Sequence, residues 1–315
     1  MNGPGRSIDK VAYDLRPCKQ TERMMMIHLL QNMAETGFRI SEYQYTGFGS
    51  LFFIDFILLR KMLGIYDMVS AEIRLDFESR VHFNSPYSDI KIHMGDVGNL
   101  IPQMSLDKKH LLWLDYDDVI QEYMVRHIVD ALAVLPPGSI IVTTVDIDFD
   151  SLENAGNKTW FEHLTGEVED YIPPGCSPND CGSLELTKTI ISIVQNIITR
   201  AMSWRDELKF ELLFNFTYAD GHKMLTIGGI IAGREDRRLL RACDWARFSF
   251  SRRDFKQHPY TIKIPNLTRR ERLYLDSHMP RVGNWMPKAF HLKEEDLLAY
   301  SQVFRYVPLY GELLL

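Results

Sequence analysis

The chain lacks any apolar run of the length that a membrane span requires. A span needs about 20 consecutive apolar residues, and the apolar stretches in these 315 residues are far shorter. The opening segment, MNGPGRSIDKVAYDLRPCKQ, also lacks the apolar core of a secretion signal. We therefore expect no membrane insertion and a location in the cytoplasm.

Cysteine is scarce and scattered. Of the four cysteines, only Cys176 and Cys181 lie close together in sequence. Their spacing fits no zinc knuckle, and no second pair is available to complete a set of four ligands. We expect free, reduced thiols.

An excess of positive charge is also missing, because the formal net charge is -6. The chain as a whole is therefore not expected to bind polyanions. One segment differs: 233–256 holds eight Arg or Lys against four Asp or Glu. This basic stretch, Arg234 to Lys256, fits either a solvated helix face or a local phosphate-binding surface, to which TRRER at 268–272 would add.

Apolar strand-like segments alternate with helical segments over the first 150 residues. The patterns predict strands at 43–46, 66–72, 89–96, 110–118 and 139–148, and helices at 17–36, 51–63, 78–86 and 119–135. The strand segments show little strict alternation, which is typical of strands buried on both faces. The order predicts an α/β fold with a doubly wound, mostly parallel sheet, whose ligand lies beyond the carboxyl ends of the strands.

The second half of the chain is less regular. Residues 150–183 are rich in Gly, Pro, Asn and Asp and indicate an insert or lid, and a long helix follows at 183–204. Two strands around ADGH indicate a hairpin at 209–233. We predict a core at 1–150 and 205–235, an insert with the long helix at 151–204, and a C-terminal extension at 236–315 that binds substrate or a partner.

Glycines and acids follow the predicted strands at the point where each strand ends. Gly47 and Gly49 flank Phe48 in YTGFGS, a loop that fits either a plain turn or a backbone lying against a ligand. Because the carboxyl ends of parallel strands share one edge of a sheet, we expect the acids after the later strands to lie near this loop. They are Glu72, Asp96, Asp115 and Asp146.

The ordered set YTGFGS, VSAE, HMGD, LLWLDYD and the closing hairpin resembles the class I S-adenosylmethionine-dependent methyltransferases. It is similar in particular to a bacterial O-methyltransferase family of unknown substrate, over about residues 15–235. The resemblance implies a Rossmann-like sheet of seven strands closed by an antiparallel hairpin, S-adenosylmethionine as cofactor, and methyl transfer to an acceptor oxygen. The first loop departs from the usual pattern, because Tyr45 precedes Gly47 where an acid is common and Ser50 and Leu51 stand where a third glycine is common.

The resemblance also implies roles for individual residues. Glu72 with Ile73 would hold the ribose hydroxyls, Asp96 with Val97 would meet the adenine, and Asp115 and Tyr116 would lie beside the methyl donor. Asp117 or His222 would serve as general base. The methionine part of the cofactor would be surrounded by Tyr45, Gly47, Phe48, Gly49 and Ser50.

Four further residues have two interpretations each. Lys19 and Arg23, on the first helix, either approach the cofactor carboxylate or form a solvated face. Tyr218 and Asp220, in the hairpin, either reach the substrate or form the turn.

A magnesium site is a separate prediction that the resemblance suggests. Metal-dependent O-methyltransferases carry acids after the fourth and fifth strands, where this chain has Asp115, Asp146 and Asp148. Oxygen ligands of this kind suit Mg²⁺. The alternative is that these acids cap helices and loops or face water.

Three functions remain open at this point. The first is an enzyme that methylates an oxygen of an unidentified acceptor. The second is a nucleic-acid or nucleotide methyltransferase that uses the basic stretch to hold phosphate. The third is a catalytically silent module that binds the cofactor and works through a protein partner or as a homo-oligomer.

Overall fold

A computed structural model describes residues 16–152 and 158–308 and contains an eight-stranded sheet. The order of the strands is β3-β2-β1-β4-β5-β7-β6-β8, and β7 runs antiparallel to both of its neighbours while the other pairs are parallel. The prediction of a doubly wound, mostly parallel sheet with a closing antiparallel hairpin is confirmed. The strands are β1 (Gln44–Gly47), β2 (Met68–Glu72), β3 (Lys91–Met94), β4 (His110–Val119), β5 (Ile140–Asp146), β6 (Lys209–Asp220), β7 (His222–Ala232) and β8 (Tyr260–Ile262).

The eighth strand is one more than the resemblance implied. It comes from the C-terminal extension and pairs in parallel with β6, where the hydroxyls of Thr217 and Thr261 lie 3.0 Å apart. The extension therefore continues the sheet of the core. The division of the chain into core, insert and extension at the stated bounds stays a prediction.

The helices follow the predicted alternation, with three shifted starts. The long helix predicted at 183–204 begins at Leu186. A second helix begins at Ile54 and not at Leu51, because Ser50 and Phe53 adopt left-handed φ values of 52° and 48° that a right-handed helix cannot include. Another begins at Glu122, because β4 continues through a bulge to Val119. The helices are α1 (Pro17–Glu35), α2 (Ile54–Leu63), α3 (Glu78–Asn84), α4 (Val97–Leu100), α5 (Glu122–Val134), α6 (Trp160–Glu167), α7 (Leu186–Met202), α8 (Arg234–Ala242), α9 (Arg269–Asp276) and α10 (Glu294–Val303).

Helices cover both faces of the sheet, as β4 shows. Leu111 and Trp113 belong to a core shared with α1, α2 and the C-terminal extension, whereas Leu112 and Leu114 belong to a second core shared with α5, α6 and α7. Alternate side chains of a strand point to opposite faces, so a strand with two covered faces is apolar throughout. This burial leaves the ends of the parallel strands as the place for polar chemistry.

Among the described residues, no helix combines the length and apolarity that crossing a membrane requires. The four cysteines are free thiols, three of them buried. A capping box formed by Thr268 and Glu271 is present at the start of α9.

Candidate active site

A cavity of about 430 Å³ lies at the carboxyl ends of the parallel strands, within the size range of small-molecule sites. It is bounded by the loop after β1, the end of β2, the loop after β3 and the end of β4. The predicted site residues that line it are Phe48, Ser50, Glu72, Ile73, Asp96, Val97, Asp115, Tyr116 and Asp117.

The glycine loop is shaped by its own protein neighbours. A Cβ atom on Gly47 would lie 2.3 Å from the hydroxyl of Tyr45, and one on Gly49 would lie 2.4 Å from the Ser70 hydroxyl. Gly49 also donates its N–H to that hydroxyl, at 3.1 Å. Tyr45 is fully buried under the loop and, like the two glycines, is not part of the cavity wall. The glycines let the loop lie flat on β1 and β2.

Glu72 ends β2 and forms part of the cavity wall. Its Oε1 accepts the N–H of Arg74 at 3.0 Å, and the residue is 9% exposed. Burial raises the pKa of Glu72, against the lowering effect of Arg74. Its position suits a carboxylate that accepts hydrogen bonds from a ligand, since one oxygen is already fixed by the backbone.

Asp96 lies between α4 and a histidine that the sequence analysis did not single out. Its Oδ1 accepts the N–H of Gly98 at 2.7 Å and lies 3.0 Å from Nε2 of His127. The other ring nitrogen of His127, Nδ1, is 2.8 Å from the hydroxyl of Tyr116. His127 lies on the buried face of α5 with Met124 and Ile128, a position that helical periodicity alone assigns to the core.

Lys19 and Arg23 are buried, so the interpretation as a solvated face was wrong. Arg23 is 3% exposed and pairs with Asp55. Lys19 is 1% exposed, and its Nζ lies 2.6 Å from Oδ1 of Asp115 and 2.9 Å from Glu22. The same ammonium lies 4.6 Å from the centre of the Trp113 ring. It therefore joins α1 to the end of β4 at the cavity.

The charges of this buried cluster depend on one another. Burial alone would lower the pKa of Lys19, but Asp115 and Glu22 raise it well above its usual value. Burial alone would raise the pKa of Asp115, but Lys19 holds it below its usual value. Burial raises the pKa of Glu22 despite Lys19. Asp115 is therefore an ionised carboxylate fixed by Lys19.

The two hairpin residues have different positions. Tyr218 is buried and lines the cavity, and burial raises the pKa of its hydroxyl well above the usual value. Asp220 accepts the backbone N–H groups of Cys18 and Lys19, at 3.1 and 2.8 Å. It therefore caps the start of α1 and holds Lys19 at the sheet edge.

The acids proposed for Mg²⁺ are occupied by other contacts. Asp146 accepts the N–H of Asp148 and the hydroxyl of Ser151, both at 2.7 Å, and Asp148 accepts the N–H of Lys223 at 3.0 Å. Within 16–152 and 158–308, no group of three or more His, Cys, Asp or Glu is arranged to hold a metal ion. These residues fit the alternative interpretation, in which they cap a turn, and do not fit a metal site.

His222 lies beside this turn and not in the cavity wall. Its Nδ1 is 3.3 Å from the Ser151 hydroxyl and 3.5 Å from Asp146, and its side chain is 50% exposed. Of the two predicted bases, Asp117 is therefore the one that borders the cavity.

Several arginines of the basic stretch contact the protein itself. Arg237 donates to the carbonyl of Ala232 at 3.0 Å, and Arg252 donates to that of His258 at 2.7 Å. Arg253 packs over the Trp245 ring at 4.0 Å. These contacts use donors that a phosphate-binding surface would present to its ligand.

A comparison with protein families adds one decisive observation. The family described as "Putative O-methyltransferase" matches residues 11–315. The chain belongs to this family. The resemblance inferred from the strand ends is thereby confirmed, and the match includes the C-terminal extension. No curated protein matches the chain.

Solved structures give only distant similarities. An O-methyltransferase from Bacillus cereus in complex with S-adenosylhomocysteine is 11% identical, with 73% of this chain and 93% of that chain covered and a TM-score of 0.38. Trm1 from Pyrococcus horikoshii with S-adenosylmethionine is 14% identical, with 77% and 64% covered and a TM-score of 0.42. An O-methyltransferase from Klebsiella pneumoniae, itself described as putative, is 12% identical, with 74% and 93% covered and a TM-score of 0.37. At these TM-scores the similarities carry no argument about this cavity.

Proposed function

We propose that the chain is an enzyme that transfers a methyl group from S-adenosylmethionine to an oxygen of its acceptor. One observation carries the proposal: Glu72 at the end of β2, Asp96 after β3 and Asp115 within β4 line one cavity together with Phe48 and Ser50 of the glycine loop. Membership of the O-methyltransferase family supports the same conclusion.

The cavity walls fit the cofactor in charge and shape. Glu72 would accept hydrogen bonds from the ribose hydroxyls, because the N–H of Arg74 already orients its Oε1. Asp96 would meet the adenine in a part of the wall that also includes Val97, Tyr116 and Tyr123. The glycine loop would hold the methionine part through Phe48 and Ser50, which face the cavity.

When bound, the cofactor supplies a methyl group on a sulfonium, which an acceptor oxygen can attack in line. Positioning provides much of the acceleration in such a displacement. Asp115, held by Lys19, is a fixed negative charge at the end of β4. The Tyr218 hydroxyl, which keeps its proton, lines the same cavity and would donate a hydrogen bond to the acceptor.

The proton of the acceptor hydroxyl needs a base. Asp115 is unsuited to this task, because its ion pair with Lys19 lowers its pKa and with it its basicity. Asp117 is exposed at the cavity mouth, where it can take the proton and pass it to water. We therefore assign the base to Asp117.

A matched pair of variants tests this assignment. We expect Asp117→Asn to slow methyl transfer about 100-fold or more, the usual contribution of a general base, with cofactor binding retained. The control is Asp118→Asn, because Asp118 accepts the N–H of Val119 at 2.8 Å and does not line the cavity. Transfer would be followed with methyl-tritiated S-adenosylmethionine and the small-molecule fraction of a cell extract.

The same experiment separates the three functions. Label in small molecules that survives nuclease treatment supports the proposal. Label recovered in nucleic acid would favour the nucleic-acid methyltransferase, and cofactor binding without transfer to any fraction would favour the silent module. Equal rates for Asp117→Asn and the wild type would overturn the base assignment alone.

A further inference from the structure

A buried histidine bridges two residues of the cavity wall. His127 is 2% exposed, yet both of its ring nitrogens have polar partners. Nδ1 lies 2.8 Å from the Tyr116 hydroxyl, and Nε2 lies 3.0 Å from Oδ1 of Asp96. The three side chains form a chain of hydrogen bonds that begins on β4, passes through α5 and ends in the loop after β3.

The chemistry of the end groups fixes the direction of these bonds. A carboxylate can only accept, so the Nε2 of His127 carries the proton that is donated to Asp96. Burial lowers the pKa of His127, so the ring is neutral near pH 7 and its Nδ1 accepts. Tyr116, whose pKa burial raises well above its usual value, donates its hydroxyl proton to Nδ1.

The consequence for Asp96 is a fixed orientation. The N–H of Gly98 and the Nε2 of His127 both bond to Oδ1. Oδ2 is then the oxygen that Asp96 offers to a ligand, and the side chain is 39% exposed. Two donors on one oxygen hold the carboxylate plane, which one backbone contact would leave free to rotate.

Gly98 makes this arrangement sterically possible. A Cβ atom there would lie 2.5 Å from Nε2 of His127 and 3.2 Å from Oδ1 of Asp96. Such a Cβ would push the imidazole away from the carboxylate. The contact between His127 and Asp96 therefore requires a glycine at position 98. A substitution there disrupts the contact while both partners stay unchanged.

We propose that His127 is a positioning residue that makes the cavity selective for a 6-aminopurine, by holding Oδ2 of Asp96 in place for the amino group. The inference rests on the proposed function, in which Asp96 meets the adenine. A carboxylate oxygen attracts a 6-amino donor and repels the 6-oxo acceptor of hypoxanthine. Because His127 fixes the position of Oδ2, it sets the size of the difference in affinity between the two bases.

The experiment compares two ligands that differ only at this position of the base. S-adenosylhomocysteine and S-inosylhomocysteine would be titrated calorimetrically into the wild type, His127→Leu, His127→Gln and Gly98→Ala. We expect the wild type to prefer the adenine ligand about 30-fold, the scale of one hydrogen bond to a charged group. The preference should fall to about threefold or less in His127→Leu and Gly98→Ala, with most of the affinity loss on the adenine ligand.

The glutamine variant and a distant histidine serve as controls. His127→Gln keeps one donor and one acceptor and should retain most of the preference. His110→Leu removes a fully buried histidine at the opposite end of β4, where it contacts the Ser105 carbonyl, and should leave the preference unchanged. Thermal unfolding of each variant shows whether it is folded. If His127→Leu does not fold, Gly98→Ala serves as the test variant in its place.

The outcomes separate this inference from the proposed function. If the wild type binds neither ligand, the cofactor assignment fails and this inference fails with it. If the wild type binds S-adenosylhomocysteine but His127→Leu weakens both ligands by the same factor, His127 has only a structural role and this inference alone is overturned. A lowered preference in both His127→Leu and Gly98→Ala supports it.

Discussion

At the scale of single residues, the cluster around Lys19 is the least expected part of the cavity. The ammonium is buried against two carboxylates, and its contact with Asp115 joins positions that are 96 residues apart in the chain. Buried ion pairs of this kind contribute little to stability when complete, but removing one partner leaves an uncompensated charge. Lys19 therefore keeps Asp115 ionised, and each of the two buried charges is stable only while the other is present.

The first prediction at this scale concerns Lys19 and Glu22. We expect Lys19→Met to lower the free energy of unfolding by about 3 kcal/mol at pH 7. Glu22→Gln should cost less than about 1 kcal/mol, because burial already disfavours the charged form of Glu22. Urea unfolding of both variants, with unchanged m-values, gives the comparison. If Glu22→Gln lost more unfolding free energy than Lys19→Met, the assignment of the ionised carboxylate to Asp115 would be contradicted.

The ion pair between Lys19 and Asp115 predicts that the stability difference between the wild type and Lys19→Met depends on pH. In the wild type, Lys19 lowers the pKa of Asp115, so its stabilisation is complete above about pH 4 and is lost as the pH falls through the lowered value. In Lys19→Met, burial raises the pKa of Asp115, and protonation relieves the unpaired charge. The stability difference between the two proteins should therefore shrink from pH 7 to pH 5. An unchanged difference would show that Asp115 is not the group affected.

Part of this residue pattern could be predicted from sequence. Glu72, Asp96 and Asp115 were found because each stands at the end of an apolar run, and they line one cavity. His127 was not found as a site residue, because helical spacing places it on a buried face and its partners are distant in sequence. Lys19 was named as a candidate near the cofactor carboxylate or on a solvated face, but its partner Asp115, 96 residues away, was not identified. Periodicity shows that a polar residue is buried and does not show which group satisfies it.

At the scale of elements, α1 is anchored by the hairpin of β6 and β7, through Asp220, which is 201 residues from Lys19 in the sequence. Asp220 accepts two of the N–H groups in the first turn of α1, those of Cys18 and Lys19. The first N–H groups of a helix have no partner within the helix, and a side-chain acceptor stabilises it. This contact places Lys19 beside Asp115.

The corresponding prediction uses the acceptor at this helix start. Asp220→Ala should lower stability by about 1–2 kcal/mol and increase hydrogen exchange in the first turn of α1. Asp220→Asn keeps one acceptor oxygen but places an amide NH₂ against the second backbone N–H, so it should recover only part of the loss. Exchange measured by mass spectrometry over residues 17–25 checks this. Unchanged stability and unchanged exchange in Asp220→Ala would contradict the capping role of Asp220.

The elements themselves were largely predictable, and their ends were not. Strands β1 to β5 followed from apolar runs, and the hairpin followed from ADGH, where Gly221 has a φ of 108°. The start of α2 depends on the left-handed backbone of Phe53, for which a phenylalanine gives no sequence signal. The three-residue strand β8 exists because the extension lies against β6, a tertiary contact beyond local patterns.

At the scale of the whole molecule, the sheet order explains why the ends of four strands border one cavity. The strands β3, β2, β1 and β4 are parallel neighbours, so their carboxyl ends meet at one edge. The strand order itself was not predicted, because apolar periodicity identifies strands but not their neighbours. The match to the O-methyltransferase family covers residues 11–315 and therefore includes the C-terminal extension as well as the strands that border the cavity.

The measurement that tests the central claim most directly is calorimetric titration of the protein with S-adenosylhomocysteine, beside Glu72→Ala and Glu207→Ala. Glu207 is the matched control, an exposed carboxylate before the start of β6 at the opposite edge of the sheet. We expect micromolar binding by the wild type and Glu207→Ala, and a loss of about tenfold or more in Glu72→Ala, the scale of one hydrogen bond to a charged group. Binding by none of three folded proteins, or equal binding by all three, would contradict the proposed cofactor site.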